Sequence, residues 1–190
     1  MKRLYKSVIF SLSLCLFLSM SVQAADKIGG RWILKNHFNE VVTDQHFTGK
    51  FRLIFFGYTF CPDICPTALS NVAEAMDLLT DLDVDIQPLF VSVDPKRDTP
   101  EVLREYVSNF HPKIIGLTGT PELIKRTADL FKVKYSIVKS DDPKDDFYTI
   151  DHSAGIYFMS PNGYFITKFP HGFSGESIAR SIRKILKENK

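Results

Sequence analysis

The chain is poor in cysteine, with three in 190 residues. So few exclude a small scaffold stapled by several disulfides. An excess of charge of either sign is also missing, because 24 Lys and Arg face 22 Asp and Glu. That balance supplies no basic field for a polyanion, so no nucleic-acid partner is expected. Glycine and proline number ten each and follow no repeat, which excludes a collagen-like chain. The apolar run from Val8 to Met20 is 13 residues long, short of the roughly 20 that a membrane helix needs. What is present is an ordinary globular composition, 44% hydrophobic and 13% aromatic. That excludes a wholly disordered chain and is enough for one sizeable core.

Lys2, Arg3 and Lys6 precede the apolar run, and Ser21 to Ala25 follow it with small residues. This is the layout of a secretory signal peptide. Residues 1–25 are therefore expected to be a leader, or a short N-terminal anchor if uncleaved, and residues 26–190 the folded domain. Cys15 falls inside the leader as apolar filler. Leu14 precedes it, where a lipid-modified cysteine usually follows a small residue. Without the leader, 21 basic residues face 22 acidic ones in a chain of 165. The expected address is outside the cytosol, the periplasm in a bacterium, where the two remaining thiols can be oxidised.

Loose alternation from Trp32 to Phe47 predicts an N-terminal hairpin turning near Asn39 and Glu40. Leu53–Phe56 and Leu89–Val93 read as buried strands. The spacing of Leu69, Val72, Ala73, Met76 and Leu79 predicts a helix between them. Thr99-Pro100-Glu101 and Thr120-Pro121-Glu122 are helix starts, each a threonine cap followed by proline in the first turn. A brief strand, Ile114–Leu117, separates those helices. Ser160-Pro161-Asn162-Gly163 is the turn of a second hairpin, and Ile178, Ala179, Ile182, Ile185 and Leu186 mark a closing helix. The order predicts an α/β fold, a thioredoxin-like single domain whose central mixed sheet is flanked by helices, with the N-terminal hairpin added. Residues 140–149, with four aspartates and a proline, read as an exposed, mobile, solvated loop.

Cys61 and Cys65 lie between the first buried strand and the first helix, where open α/β sheets place their sites. Pro62 and Pro66 disfavour helical geometry in the residue before them, so both cysteines are expected in the turn, with Pro66 opening the helix. A helix start lowers thiol pKa values, so both sulfurs are expected to be more acidic than a free thiol. Three readings stand: buried structural thiols, a redox dithiol, or two ligands of a soft-metal site, which two thiolates alone leave incomplete. Spacing does not separate the last two. A thiol peroxidase would also want an arginine, for which Arg97 and Arg104 are available, although the Arg97 stretch reads more simply as a polar loop. Among the histidines, His37 and His46 read as surface residues and His111 as a partner of a helix C-terminus. His152, between the acidic loop and a buried strand, is the preferred third ligand, with His171 next. Asp151 or Asp63 would orient its ring.

These residues resemble the Sco/SenC family of copper-binding assembly proteins. The likeness is carried by Gly57-Tyr58-Thr59-Phe60-Cys61-Pro62-Asp63-Ile64-Cys65-Pro66, Val91-Ser92-Val93-Asp94-Pro95-Lys96-Arg97-Asp98-Thr99, Gly116 to Thr120, Asp151-His152-Ser153 and Pro161-Asn162-Gly163. It implies one copper ion, Cu(I) or Cu(II), bound by Cys61, Cys65 and His152, with Cys61 and Cys65 also able to form a redox-active disulfide. It implies a metallochaperone for the binuclear copper centre of cytochrome c oxidase rather than an enzyme, with thiol–disulfide oxidoreductase activity as the alternative. The implied partners are the copper-accepting oxidase subunit and other periplasmic copper or thiol-redox proteins. Two features depart from the likeness. Relatives often carry a true membrane helix, and thioredoxins have a cis-proline where this chain has Asp151-His152-Ser153.

Overall fold

The structure, a computed structural model, describes residues 27–140 and 146–188. The expected leader with Cys15, and residues 141–145 of the acidic loop, lie outside them. No helix among the described residues is long and apolar enough to cross a membrane.

The expected N-terminal hairpin forms from β1 (Ile33–Asn36) and β2 (Val41–Thr43), with Leu34 opposite Val42. The Asn36 carboxamide oxygen accepts from the Phe38 and Glu40 amides, which closes the turn, and Asn39 sits at φ 68°. Phe47 is not part of this hairpin. Asp44–Phe47 winds into a 3-10 turn and buries Phe47 in the core.

The centre of the sheet is β3 (Phe51–Gly57), β4 (Ile86–Ser92) and β5 (Ile115–Thr118), all parallel, with Phe55 beside Phe90 and Val91 beside Leu117. β1 pairs antiparallel with β5, so the hairpin extends the main sheet. On the far side β8 (Ile156–Met159) pairs antiparallel with β3, and β9 (Phe165–Phe169) with β8. Gly163 turns that second hairpin at φ +79°. The strand order is β2-β1-β5-β4-β3-β8-β9. β3 lies between two neighbours and is buried along nearly its whole length, as its unbroken apolar run requires.

Among the described residues, four helices complete the mixed, thioredoxin-like domain: α1 (Ile64–Leu78), α2 (Pro100–Ser108), α3 (Pro121–Leu130) and α4 (Gly175–Glu188). Thr99 caps α2 by accepting from the Val102 amide at 3.3 Å, and Thr120 caps α3 by accepting from Leu123 at 3.4 Å. α4 buries Ile178, Ala179 and Ile182 and packs on α1.

Residues 140–149 are not simply a loop. Tyr148–His152 is strand β7, and it pairs antiparallel with β6 (Tyr135–Lys139) in a separate two-stranded sheet. This arm leaves no mark in the hydrophobic pattern because Ser136 to Lys139 are all exposed, so no buried stripe betrays a strand. His152 therefore ends a strand, β7, as well as preceding the buried strand β8.

Candidate metal centre

Cys61 follows the carboxyl end of β3, and Cys65 is the second residue of α1. The expectation that both cysteines lie in the turn thus fails for Cys65. Pro66 causes no break, because in the first helical turn its missing N–H would have had no partner. Cys65 is fully buried and Cys61 is partly exposed, and both are free thiols. The Cys65 amide donates to Cys61 Sγ at 3.4 Å.

Two structural details place the buried sulfur. Gly57, the last residue of β3, leaves it room: a Cβ there would come within 2.8 Å of Cys65 Sγ. Asp98, fully buried behind the cysteine loop, accepts from the Thr59 amide at 3.1 Å, the Thr59 hydroxyl at 2.6 Å and the Ser92 hydroxyl at 2.5 Å. Burial raises the Asp98 carboxyl pKa, and the three donors pull it partly back. Asp98 was not singled out from the sequence. Its position after Val91–Val93 is the available signal, since polar residues just beyond a buried strand face the site end of the sheet. Asp98→Ala would strand these donors and is expected to lower stability by about 2–4 kcal/mol, while Asp98→Asn recovers part of that loss. Urea unfolding of the reduced protein measures it, and a change below about 1 kcal/mol would show that water replaces the carboxylate.

His152 arrives from β7 with Nε2 3.5 Å from Cys65 Sγ. Its ring stands edge-on to Phe55 and Tyr58. Nδ1 lies 3.3 Å from the Ser153 carbonyl oxygen, a contact in which the ring N–H donates, leaving the Nε2 lone pair toward the sulfurs. Ser153 thus holds the place expected of Asp151 or Asp63. Burial depresses the His152 pKa, against smaller opposing effects from the Ser153 carbonyl and Asp151, so the ring stays neutral. The donor atoms of Cys61, Cys65 and His152 all lie within 4.8 Å of one another. Two sulfurs and an imidazole nitrogen form a soft set suited to a monovalent copper or a zinc ion.

The remaining sequence expectations divide. The expected acidification fails for Cys65, whose thiol pKa is raised, chiefly by burial, because charge is costly there. His171 is exposed and outside the cluster, and His46 is exposed as expected. His37 is not a surface residue. It is buried, its Nδ1 accepts from the Gly116 amide at 2.9 Å, and burial depresses its pKa. His111 lies 3.6 Å from the Asp77 carboxylate of α1. Arg97 is no plain loop residue: it pairs with the buried Asp94 carboxylate and stacks on Tyr148. Arg104 donates to the His37 carbonyl at 3.1 Å.

The model of the SCO1/SenC family matches residues 20–187. Protein sco1 of Schizosaccharomyces pombe is 44% identical over 157 residues, covering 82% of this chain and 60% of that protein. An SCO2-like protein of Rickettsia prowazekii is 45% identical over 152 residues, covering 80% of this chain and 74% of that one. The chain thus spans less than two thirds of the fission-yeast relative. Among solved structures, the copper-bound ScoI of Arabidopsis thaliana superposes with a TM-score of 0.79 at 39% identity, covering 85% of this chain and 99% of that one.

Proposed function

The chain belongs to the SCO1/SenC family, and on that premise we propose that it is a copper-binding assembly factor that takes one Cu(I) through Cys61, Cys65 and His152. The observation that supports this most is the convergence of three soft donor atoms within 4.8 Å, two on the sheet body and one on a separate arm. The proposed acceptor is the copper-receiving subunit of cytochrome c oxidase. The proposed address is the periplasm, reached by residues 1–25 as leader or anchor, with residues 26–190 as the working domain. A copper-bound relative of the same fold supports the choice of metal.

A metallochaperone suits the site better than an enzyme does. A dithiol alone would serve disulfide exchange, whereas this site sets a third soft donor, His152 Nε2, 3.5 Å from the buried sulfur. A redox gate remains part of the proposal. If the copper-bound Cys61 and Cys65 thiolates pass two electrons to a partner disulfide, whose two sulfurs leave as thiolates and take protons from water, the bond that Cys61 and Cys65 form removes both sulfur donors, and copper is released. Titration of reduced and oxidised protein with Cu(I), followed by transfer to a soluble oxidase domain, tests this. One ion bound by the reduced form alone is expected, and equal binding by both forms would refute it.

The pH dependence follows from the same site. Burial keeps the Cys65 thiol protonated well above the usual thiol range, so copper must displace that proton. The apparent affinity is expected to rise at least about tenfold per pH unit between about pH 6 and pH 8. His152 opposes this little, because burial holds the imidazole pKa below its ordinary value. Competition titrations against a Cu(I) chelator at several pH values measure the slope. A flat profile would mean that Cys65 is not a ligand.

A further inference from the structure

The two halves of the centre stand on different supports. Cys61 and Cys65 belong to the junction of β3 and α1, whereas His152 ends an arm that pairs only with itself among the described strands. A cleft of about 820 Å³ separates much of the arm from the body, and Ile137, on its lining, is 59% exposed. The arm is seated on the core by Ile150, with Tyr135 and Tyr148 partly buried against it, while its outer residues face the cleft.

One residue bridges the gap. The Arg97 guanidinium lies 3.6 Å from the centre of the Tyr148 ring and 4.7 Å from that of Phe60. Tyr148 opens β7, four residues before His152, and Phe60 directly precedes Cys61. Arg97 Nη1 donates to the Tyr148 carbonyl at 3.0 Å. Its Nε pairs with Asp94, whose other carboxylate oxygen accepts from the Tyr148 hydroxyl at 2.9 Å. Among the described residues, Arg97 Nη2 is buried without a hydrogen-bond partner. Aromatic faces therefore hold part of the guanidinium, and a flat delocalised cation suits that place where an ammonium does not. Besides the contacts of His152, the Ile150 backbone meets the Tyr58 hydroxyl on the other flank.

We infer that Arg97 is a positioning residue for the metal centre, clamping the arm that carries His152 to the loop that carries Cys61. It touches no ligand atom and acts through the placement of the imidazole. The inference rests on the reading of Cys61, Cys65 and His152 as the copper ligands.

The test is a double-mutant cycle read by Cu(I) competition titration on the native protein, Arg97→Gln, His152→Ala and the double variant, each with its metal-free unfolding midpoint. Arg97→Gln is expected to weaken binding by about 10–100-fold, as loss of a ligand's support does. In the His152→Ala background the same change should alter affinity by no more than about twofold, because the group it positions is gone. A purely structural role would weaken both backgrounds alike, and that result would overturn the inference. So would native affinity in Arg97→Gln beside a weakened His152→Ala. Native affinity in His152→Ala itself would overturn the ligand reading, and this inference with it. If Arg97→Gln does not fold, Arg97→Lys carries the same cycle. It keeps the charge beside Asp94 but loses the planar stack, so a smaller loss of the same background dependence is expected.

Discussion

Replacing Cys65 with alanine is expected to weaken Cu(I) binding by about 10²–10³-fold. The scale comes from four-ligand zinc sites, worth about 10–16 kcal/mol, or about 3–4 kcal/mol per ligand. Cys65 should sit at the upper end, because its sulfur is fully buried and no water or small thiol can take its place. Cys61→Ala should cost less, since that position is partly open to solvent donors. His152→Ala should weaken the site, whereas His171→Ala, at an exposed residue outside the cluster, should leave it unchanged. Competition titrations against a chelator of known affinity rank the four variants. Native affinity in Cys65→Ala would remove Cys65 from the ligand set.

Gly57→Ala is expected to damage fold and site together. The added methyl would meet Cys65 Sγ at 2.8 Å, Phe55 Cε1 at 2.9 Å and Phe90 Cε2 at 3.0 Å. All three neighbours are almost completely buried, and β3 is locked between β4 and β8. Strain from one extra carbon in such a core costs about 1–3 kcal/mol. If the strand holds, the sulfur gives way, so copper affinity should fall as well. Unfolding of the metal-free protein measures the first effect and copper titration the second. Native values in both would mean that the end of β3 is softer than its burial indicates.

The sequence-based reading succeeded where burial is strong and periodic. β3 and β4 carry the apolar runs Leu53–Phe56 and Leu89–Val91, α2 and α3 open with threonine and proline, and the turn at Gly163 carries its own signature. These elements form as expected. The arm of β6 and β7 escaped because its outer residues face water and leave no pattern in hydrophobicity. His152 was still singled out, by its position before a buried strand and by resemblance, although the strand that carries it was not. The surroundings were less legible than the ligands. Position relative to a helix start argued for an acidic Cys65, but burial dominates there, and burial depends on Gly57 and α1 packing together. Arg97 and His37 were misread for a related reason. Their partners, Tyr148 and Gly116, lie far along the chain, and one sequence does not record such pairings.

Cys65 and His152 are 87 residues apart in the chain. The two cysteines can be set by one strand and the helix after it, a local event. The imidazole arrives only after β4, α2, β5 and α3 have been threaded and the arm has closed, and joining points so distant is entropically costly and slow. During synthesis, the chain therefore presents a dithiol before it presents a complete centre. Full metal affinity then becomes a property of the finished domain, so copper retention can serve as an assay of completed folding.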